Sequence, residues 1–313
     1  MSILKTFVSA AALTSAAAAA HADGLQILTG GTSGVYYPVG VALRSIFERE
    51  LPGHEFTVLS TQATVENLNM LQRGEGVLAL AQGDILSEAQ AGNPEAGFPS
   101  SRTNIRLIGA AYPNFIHVLA HRDGRIETFE DLVGKRVSVG PARSGNELNA
   151  RALLGAAGLS YADLLQVEYL HYGESVDLFL RGELDAVIIS AGLGVAAVHE
   201  ASEHAEIRIV PIDPSIVEVH SRMFFPIEIP AGSYRGQGEP VATAALNNFF
   251  VTTSEAPEEL VYAITSAIFE NLAEIGEAHS AASVISREAA LAAKPIEVHP
   301  GALRYFRELG LTE

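Results

Sequence analysis

The 313-residue sequence contains no cysteine and no tryptophan, and its 20 lysines and arginines are far outnumbered by 37 aspartates and glutamates. Without cysteine there is no disulfide framework, no thiol chemistry and no lipid-modified cysteine anchor. The formal net charge of −17 argues against nucleic acid or anionic lipid as a partner, since both demand dense Lys and Arg. A small anion stays open, because local dipoles decide such binding and exposed charges beyond about 10 Å are screened. Apolar runs long enough to span a membrane, about 18 residues, are missing after the N-terminus.

The chain opens with "MSILKTFVSAAALTSAAAAAHADG", which has one lysine, an alanine-rich apolar run without amphipathic period, and Ala20 and Ala22 flanking His21. This layout predicts a secretory signal peptide over residues 1–22, cleaved before Asp23. Its removal takes Lys5 and no acid, so the mature chain is more acidic still. Export without a lipid anchor suits a soluble protein of the periplasm.

Strand and helix patterns then alternate at the spacing of a parallel sheet. "LQILTGG" reads as a strand and "YPVGVALRSIFERELPG" as a helix stopped by Pro52-Gly53. "EFTVLST" is a strand and "TVENLNMLQRG" a helix with Thr64 as its N-cap. "VLALAQGD" is a third strand. The pattern restarts at "KRVSVGPARSGNELNARALLGAAGL" and continues in "SVDLFLRGELDAVIISAG". Arg-Gly-Glu closes a helix in both series, at Arg73-Gly74-Glu75 and Arg181-Gly182-Glu183. Two similar α/β lobes are expected, the first from 23–115 and 232–313, the second from 116–231. Extended crossings are placed near 113–121 and 224–234. The tail is expected to return to the first lobe as a strand, one long amphipathic helix starting near Pro257, and two further helices.

The loop "GGTSGVYYPVG" (30–40) suggests a backbone nest before a helix N-terminus, built on Gly30, Gly31 and Gly34. It lacks the lysine of a phosphate loop and the G-x-G-x-x-G register of a dinucleotide site. Thr32, Ser33, Tyr36 and Tyr37 remain as uncharged donors, suited to a carboxylate or polar small molecule, although the tyrosines would also serve to pack the helix start. In "GPARSGNELNAR", Ser144, Gly145 and Asn146 open a helix whose dipole adds partial positive charge. Arg143 precedes them, either as a charge-assisted contact to a carboxylate or as a solvated surface residue. Thr61, Thr64 and Gln82 lie where strands of the first lobe end, the usual ligand edge of a parallel sheet. Asn67 and Asp84 read as braces of local turns, and Tyr112 and Tyr172 as either cleft walls or core.

Enzyme signatures are poor. There is no G-x-S-x-G elbow. His199 and His204 are five apart, which defeats the zinc arrangement H-E-x-x-H, and His117 and His121 fall on a strand as structural residues. No metal and no cofactor is expected.

These segments, with "TVENLNMLQRGE", "LAQGD", "AAYPN…HVLA", "SGNELNARALLGAAGL", "GESVD…GELDAVI" and "HPGALRYFRELG", make the chain resemble the TAXI family of extracytoplasmic solute-binding proteins, which serve tripartite ATP-independent periplasmic (TRAP) transporters. The resemblance implies a type II periplasmic-binding-protein fold, in which two α/β lobes joined by a two-stranded hinge close on a central ligand cleft. It also implies a TRAP membrane permease as partner and a small carboxylate or amino acid as ligand, such as 2-oxoglutarate or glutamate. By matching motif it places ligand contacts at Thr32, Ser33, Tyr36, Tyr37, Thr61, Thr64, Gln82, Ser144, Gly145 and Asn146. The chain departs from the family at Thr64, where a serine is usual, at Asn146, where a threonine is common, and at Arg143, where a small or uncharged residue is frequent. Two other classes compete: a sensor presenting its closed form to a membrane receptor, and an enzyme on the same fold.

Overall fold

The computed structural model describes residues 24–219 and 224–312; the expected signal peptide lies outside them. The chain runs β1 (Leu25–Leu28), α1 (Tyr36–Glu50), β2 (Phe56–Leu59), α2 (Thr64–Gln72), β3 (Leu78–Gln82), α3 (Gly83–Ala91) and the long β4 (Ile105–His121). It continues with β5 (Arg136–Ser138), α4 (Gly145–Ala156), β6 (Gln166–Glu168), α5 (Tyr172–Leu180), β7 (Ala186–Ala191), α6 (Ala196–His204), β8 (Ile207–Ile209) and α7 (Pro214–Val219). The last part is β9 (Phe225–Ile229), β10 (Val241–Thr253), α8 (Glu258–Glu270), α9 (Leu272–Ala278) and α10 (Pro300–Glu308).

The strands form one continuous sheet in the order β2-β1-β3-β10-β4-β7-β5-β6, with β8 on β4 and β9 on β10. Its two wings are parallel, β1 with β2 and β3, and β5 with β6 and β7. The antiparallel pair β4 and β10 joins them. On β4, residues 105–110 pair with the C-terminal part of β10, while 115–120 pair with β7. On β10, 248–251 pair with β3, while 241–245 pair with β9. The second run between the wings is therefore β10, and the segment expected to cross near 224–234 is instead its hairpin neighbour β9. The β10–β4 register shifts between Asn247 and Phe249. The extra residue lies on β4, which takes three steps from Pro113 to Ala110 where β10 takes two from Asn247 to Phe249. So β10 keeps its plain alternation: Ala244 and Leu246 face one apolar cluster, and Phe249 and Val251, of opposite parity, face another.

Period-two burial explains why β3 and β7 read as unbroken apolar runs. Leu78 and Leu80 enter one cluster, Ala79 and Ala81 another. Val187 and Ile189 join the first of these, Ala186 and Ile188 a third. Strands covered on both faces lose the polar alternation of a half-exposed sheet.

The tail packs on the first wing, with α8 and α9 against α1. The single long helix expected there is broken at Asn271 (φ −118°, ψ 31°), whose side-chain amide donates to Ala267 O at 2.8 Å. Helix α10 approaches α8 closely at Gly301, where a Cβ would lie 2.3 Å from Glu258 O and 2.7 Å from Tyr262 N. Backbone atoms of a packed helix cannot yield cheaply, so Gly301→Ala is expected to lower stability by roughly 1–3 kcal/mol in denaturant melts. An unchanged midpoint would mean the two helices part easily.

Candidate functional site

A cavity of about 60 Å³ lies between the wings. It is built from the carboxyl ends of parallel strands, where the backbone turns into a helix. Four helix starts contribute lining residues: Val35 and Tyr36 of α1, Ala63 and Thr64 of α2, Ser144 and Gly145 of α4, His171 and Tyr172 of α5. The first-turn N–H groups of such helices have no intrahelical acceptor and carry partial positive charge. Among the described residues, no lysine, arginine, aspartate or glutamate lines the cavity.

Both wings touch across it. Ser33 Oγ accepts from Gly173 N at 3.2 Å, and Gln82 Nε2 donates to Ser190 Oγ at 3.2 Å. Tyr172 stays within its own wing, donating its hydroxyl to Ser190 O at 2.7 Å. Asn146 is buried and fully engaged: its Nδ2 donates to Val139 O at 2.6 Å and Ile188 O at 2.9 Å, while its Oδ1 accepts from Ser190 N. Ser144 caps α4, its Oγ accepting from Glu147 N at 3.2 Å.

On the other side, Tyr36 donates its hydroxyl to Asn248 Oδ1 at 2.5 Å. Asn248 Nδ2 in turn donates to Tyr112 O at 2.9 Å and Asn114 Oδ1 at 2.7 Å. Burial raises the pKa of Tyr36, Tyr112 and Tyr172, so all three phenols stay protonated donors. Two polar atoms at the cavity, Tyr112 Oη and Gln82 Oε1, have no partner among the described residues. Buried polar groups are seldom left so, and these two are available to a guest.

Of the residues expected from sequence, Gly31, Ser33, Tyr36, Thr61, Thr64, Gln82, Tyr112, Ser144, Gly145, Asn146 and Tyr172 line the cavity, whereas Thr32, Tyr37 and Arg143 do not. Thr32 and Arg143 are exposed. Arg143 occupies the third position of the turn closed by Ser144 N to Pro141 O at 2.9 Å, with φ +57°. Thr64 is not the cap of α2. It is the first helical residue, and its Oγ1 accepts from Gln82 N at 3.2 Å. Thr61 is saturated locally, meeting Thr29 O at 2.9 Å, Asn67 Oδ1 at 2.7 Å and Ala63 N at 3.0 Å. Asn67 braces β1 against β3 through Thr29 O and Leu80 O. Asp84 instead reaches across to Asn149. His117 is a buried strand residue bonded to Tyr234 at 2.8 Å, its pKa pushed down to about 4 by burial.

Sequence reading missed Asn114, His171 and Ser190. A signal for Ser190 existed: it stands nine residues after Arg181, as Gln82 stands nine after Arg73, so the repeat pairs the two residues that meet across the cavity.

Paired parallel wings joined by two antiparallel strands, with a cavity between their helix starts, define the two-lobed architecture of periplasmic binding proteins. The chain belongs to the NMT1-like family, whose profile matches residues 27–310. Solved structures agree on the fold. The periplasmic binding protein BugD superposes with a TM-score of 0.56 at 13% identity, over 92% of this chain and 93% of that one. XAC2383 from Xanthomonas citri bound to ATP gives 0.51 at 12%, over 92% and 96%. A putative L-cystine ABC transporter protein from Listeria monocytogenes gives 0.50 at 14%, over 83% and 96%.

Proposed function

We propose that this protein is an exported, periplasmic solute-binding protein that closes on a small carboxylate or amino acid and delivers it to a membrane permease of the TRAP type. The observation that carries the reading is the convergence of four helix N-termini on one cavity that, among the described residues, has no lysine or arginine in its lining. Peptide dipoles hold an anion there without a buried counter-ion, each helix contributing about 0.3–1 kcal/mol and up to about 2 when partly buried. Tyr112 Oη and Gln82 Oε1 add a donor and an acceptor. Because Arg143 lies outside the lining, no arginine or lysine among the described residues awaits a second carboxylate, which favours a monoanionic or zwitterionic guest such as an amino acid over a dicarboxylate.

A thermal-shift screen of amino acids, monocarboxylates and dicarboxylates tests this. A true ligand at about 100 times its Kd adds roughly 2.7 kcal/mol of stability, and a screen in which none of them shifts the transition defeats the reading. Arg143→Ala is expected to leave the affinity of any ligand so found within about twofold by calorimetry. A tenfold loss would place the guanidinium at the ligand.

A further inference from the structure

We propose that the Asp84–Asn149 contact is a proton-operated latch between the wings: closing the cleft buries the Asp84 carboxyl, so closure takes up a proton and is favoured in acid. Asp84 is the second residue of α3 and Asn149 lies on α4, on opposite sides of the cleft. Asp84 Oδ2 accepts from Asn149 Nδ2 at 2.7 Å, and Oδ1 is buried with no partner. The contact continues into the cavity. Asn149 Oδ1 accepts from Ser190 Oγ at 2.8 Å, and Ser190 Oγ accepts from Gln82 Nε2 at 3.2 Å. Ser190 and Gln82 are lining residues, so ligand site and carboxyl share one hydrogen-bonded chain.

A carboxylate with one oxygen buried and unpaired is costly when ionised and tolerable when neutral. Burial accordingly pushes Asp84 up to about 7, opposed by hydrogen bonds from backbone N–H groups and Asn149 and assisted by the charge of Glu88 on its own helix. Strands β3 and β10, packed against α3, bring no ionisable residue. Helix α2 brings Glu66, engaged with Gln62 N, and α4 brings Glu147 and Arg151, paired with each other. Opening the cleft hydrates Asp84 and returns it toward the ordinary value of about 3.9.

The pKa is higher in the closed form. The stabilisation of that form is therefore full below about 4 and is lost as pH rises toward 7. Between pH 5.5 and 7.5 the ratio of closed to open molecules should fall on the order of tenfold.

The absence of cysteine permits clean spin labelling at Gln72→Cys on α2 and Gly155→Cys on α4, both exposed positions on opposite wings. A Cβ at residue 155 meets nothing within 4 Å. Pulsed dipolar spectroscopy without added ligand should show the short-distance population growing as pH falls from 7.5 to 5.5. Asp84→Asn should hold it high and flat. A wild-type distribution indifferent to pH, or an Asp84→Asn variant that keeps the dependence, overturns the proposal. If that variant fails to fold, carboxyl-carbon NMR of the wild type decides: a midpoint near 7 supports the latch and one near 4 rejects it. The inference rests on the hinged binding reading but not on its ligand, so a failed ligand screen leaves these distances interpretable.

Discussion

Asn146→Leu is expected to lower the unfolding free energy by about 3–5 kcal/mol, because three buried main-chain groups lose their only side-chain partner at once. Those groups are Val139 O, Ile188 O and Ser190 N. Leucine fits the volume and answers none of them. Each orphaned group costs about 1–3 kcal/mol, since water cannot reach it. Denaturant melts followed by far-ultraviolet circular dichroism measure the loss, the chain having no tryptophan to report on. A change below about 1 kcal/mol would mean that the amide is hydrated and that α4 is not tied to β5 and β7 through it. Asn146 thus contributes to the cavity mainly as its frame, holding the start of α4 against the ends of two strands.

Gly145→Val is expected to do the opposite, sparing the fold and removing the guest. A Cβ at residue 145 would sit 1.9 Å from Gln82 Oε1 and 2.6 Å from Gln82 Cδ. These atoms belong to the far wing and to the end of a side chain, so an open protein accommodates valine and a closed one must expel Gln82 from its bond to Ser190. Ligand-induced stabilisation should fall from roughly 2.7 kcal/mol at about 100 times the wild-type Kd to near zero, with the ligand-free transition little changed. A variant that keeps the full thermal shift would show that the wings do not meet at this point.

Much of the framework was legible because it follows from periodicity. The βα alternation, the glycine loops and the repeated Arg-Gly-Glu placed the helix starts at Tyr36, Thr64 and Gly145 within a residue or two of their observed positions, while α5, expected from Ser175, begins three residues earlier at Tyr172. What escaped depends on contacts between segments far apart in the chain. For Arg143 the sequence left a ligand contact and a solvated position open, and only the turn with φ +57° shows it exposed. Asn248 sits in a strand that reads as core, and its role appears only when Tyr36, Tyr112 and Asn114 gather around it. The break at Asn271 was hidden because helical apolar spacing continues through it, and Arg49 Nη2 of α1, more than two hundred residues earlier, donates to its Oδ1 at 3.0 Å. Asp84 looked like a turn brace for the same reason, its partner Asn149 being supplied by the other wing.

The pairing of Phe115 with Ala245 on β4 and β10 has an architectural corollary. Chain enters the distal wing at one of these residues and leaves it at the other, and cross-strand neighbours stand only about 5 Å apart. The distal wing is thus a guest grafted into a host at a single doorway, and a tight hairpin could in principle seal that doorway if the graft were cut out. Both ends of the described chain stay with the host, so the distal wing is held by the two strands of that doorway and carries neither end.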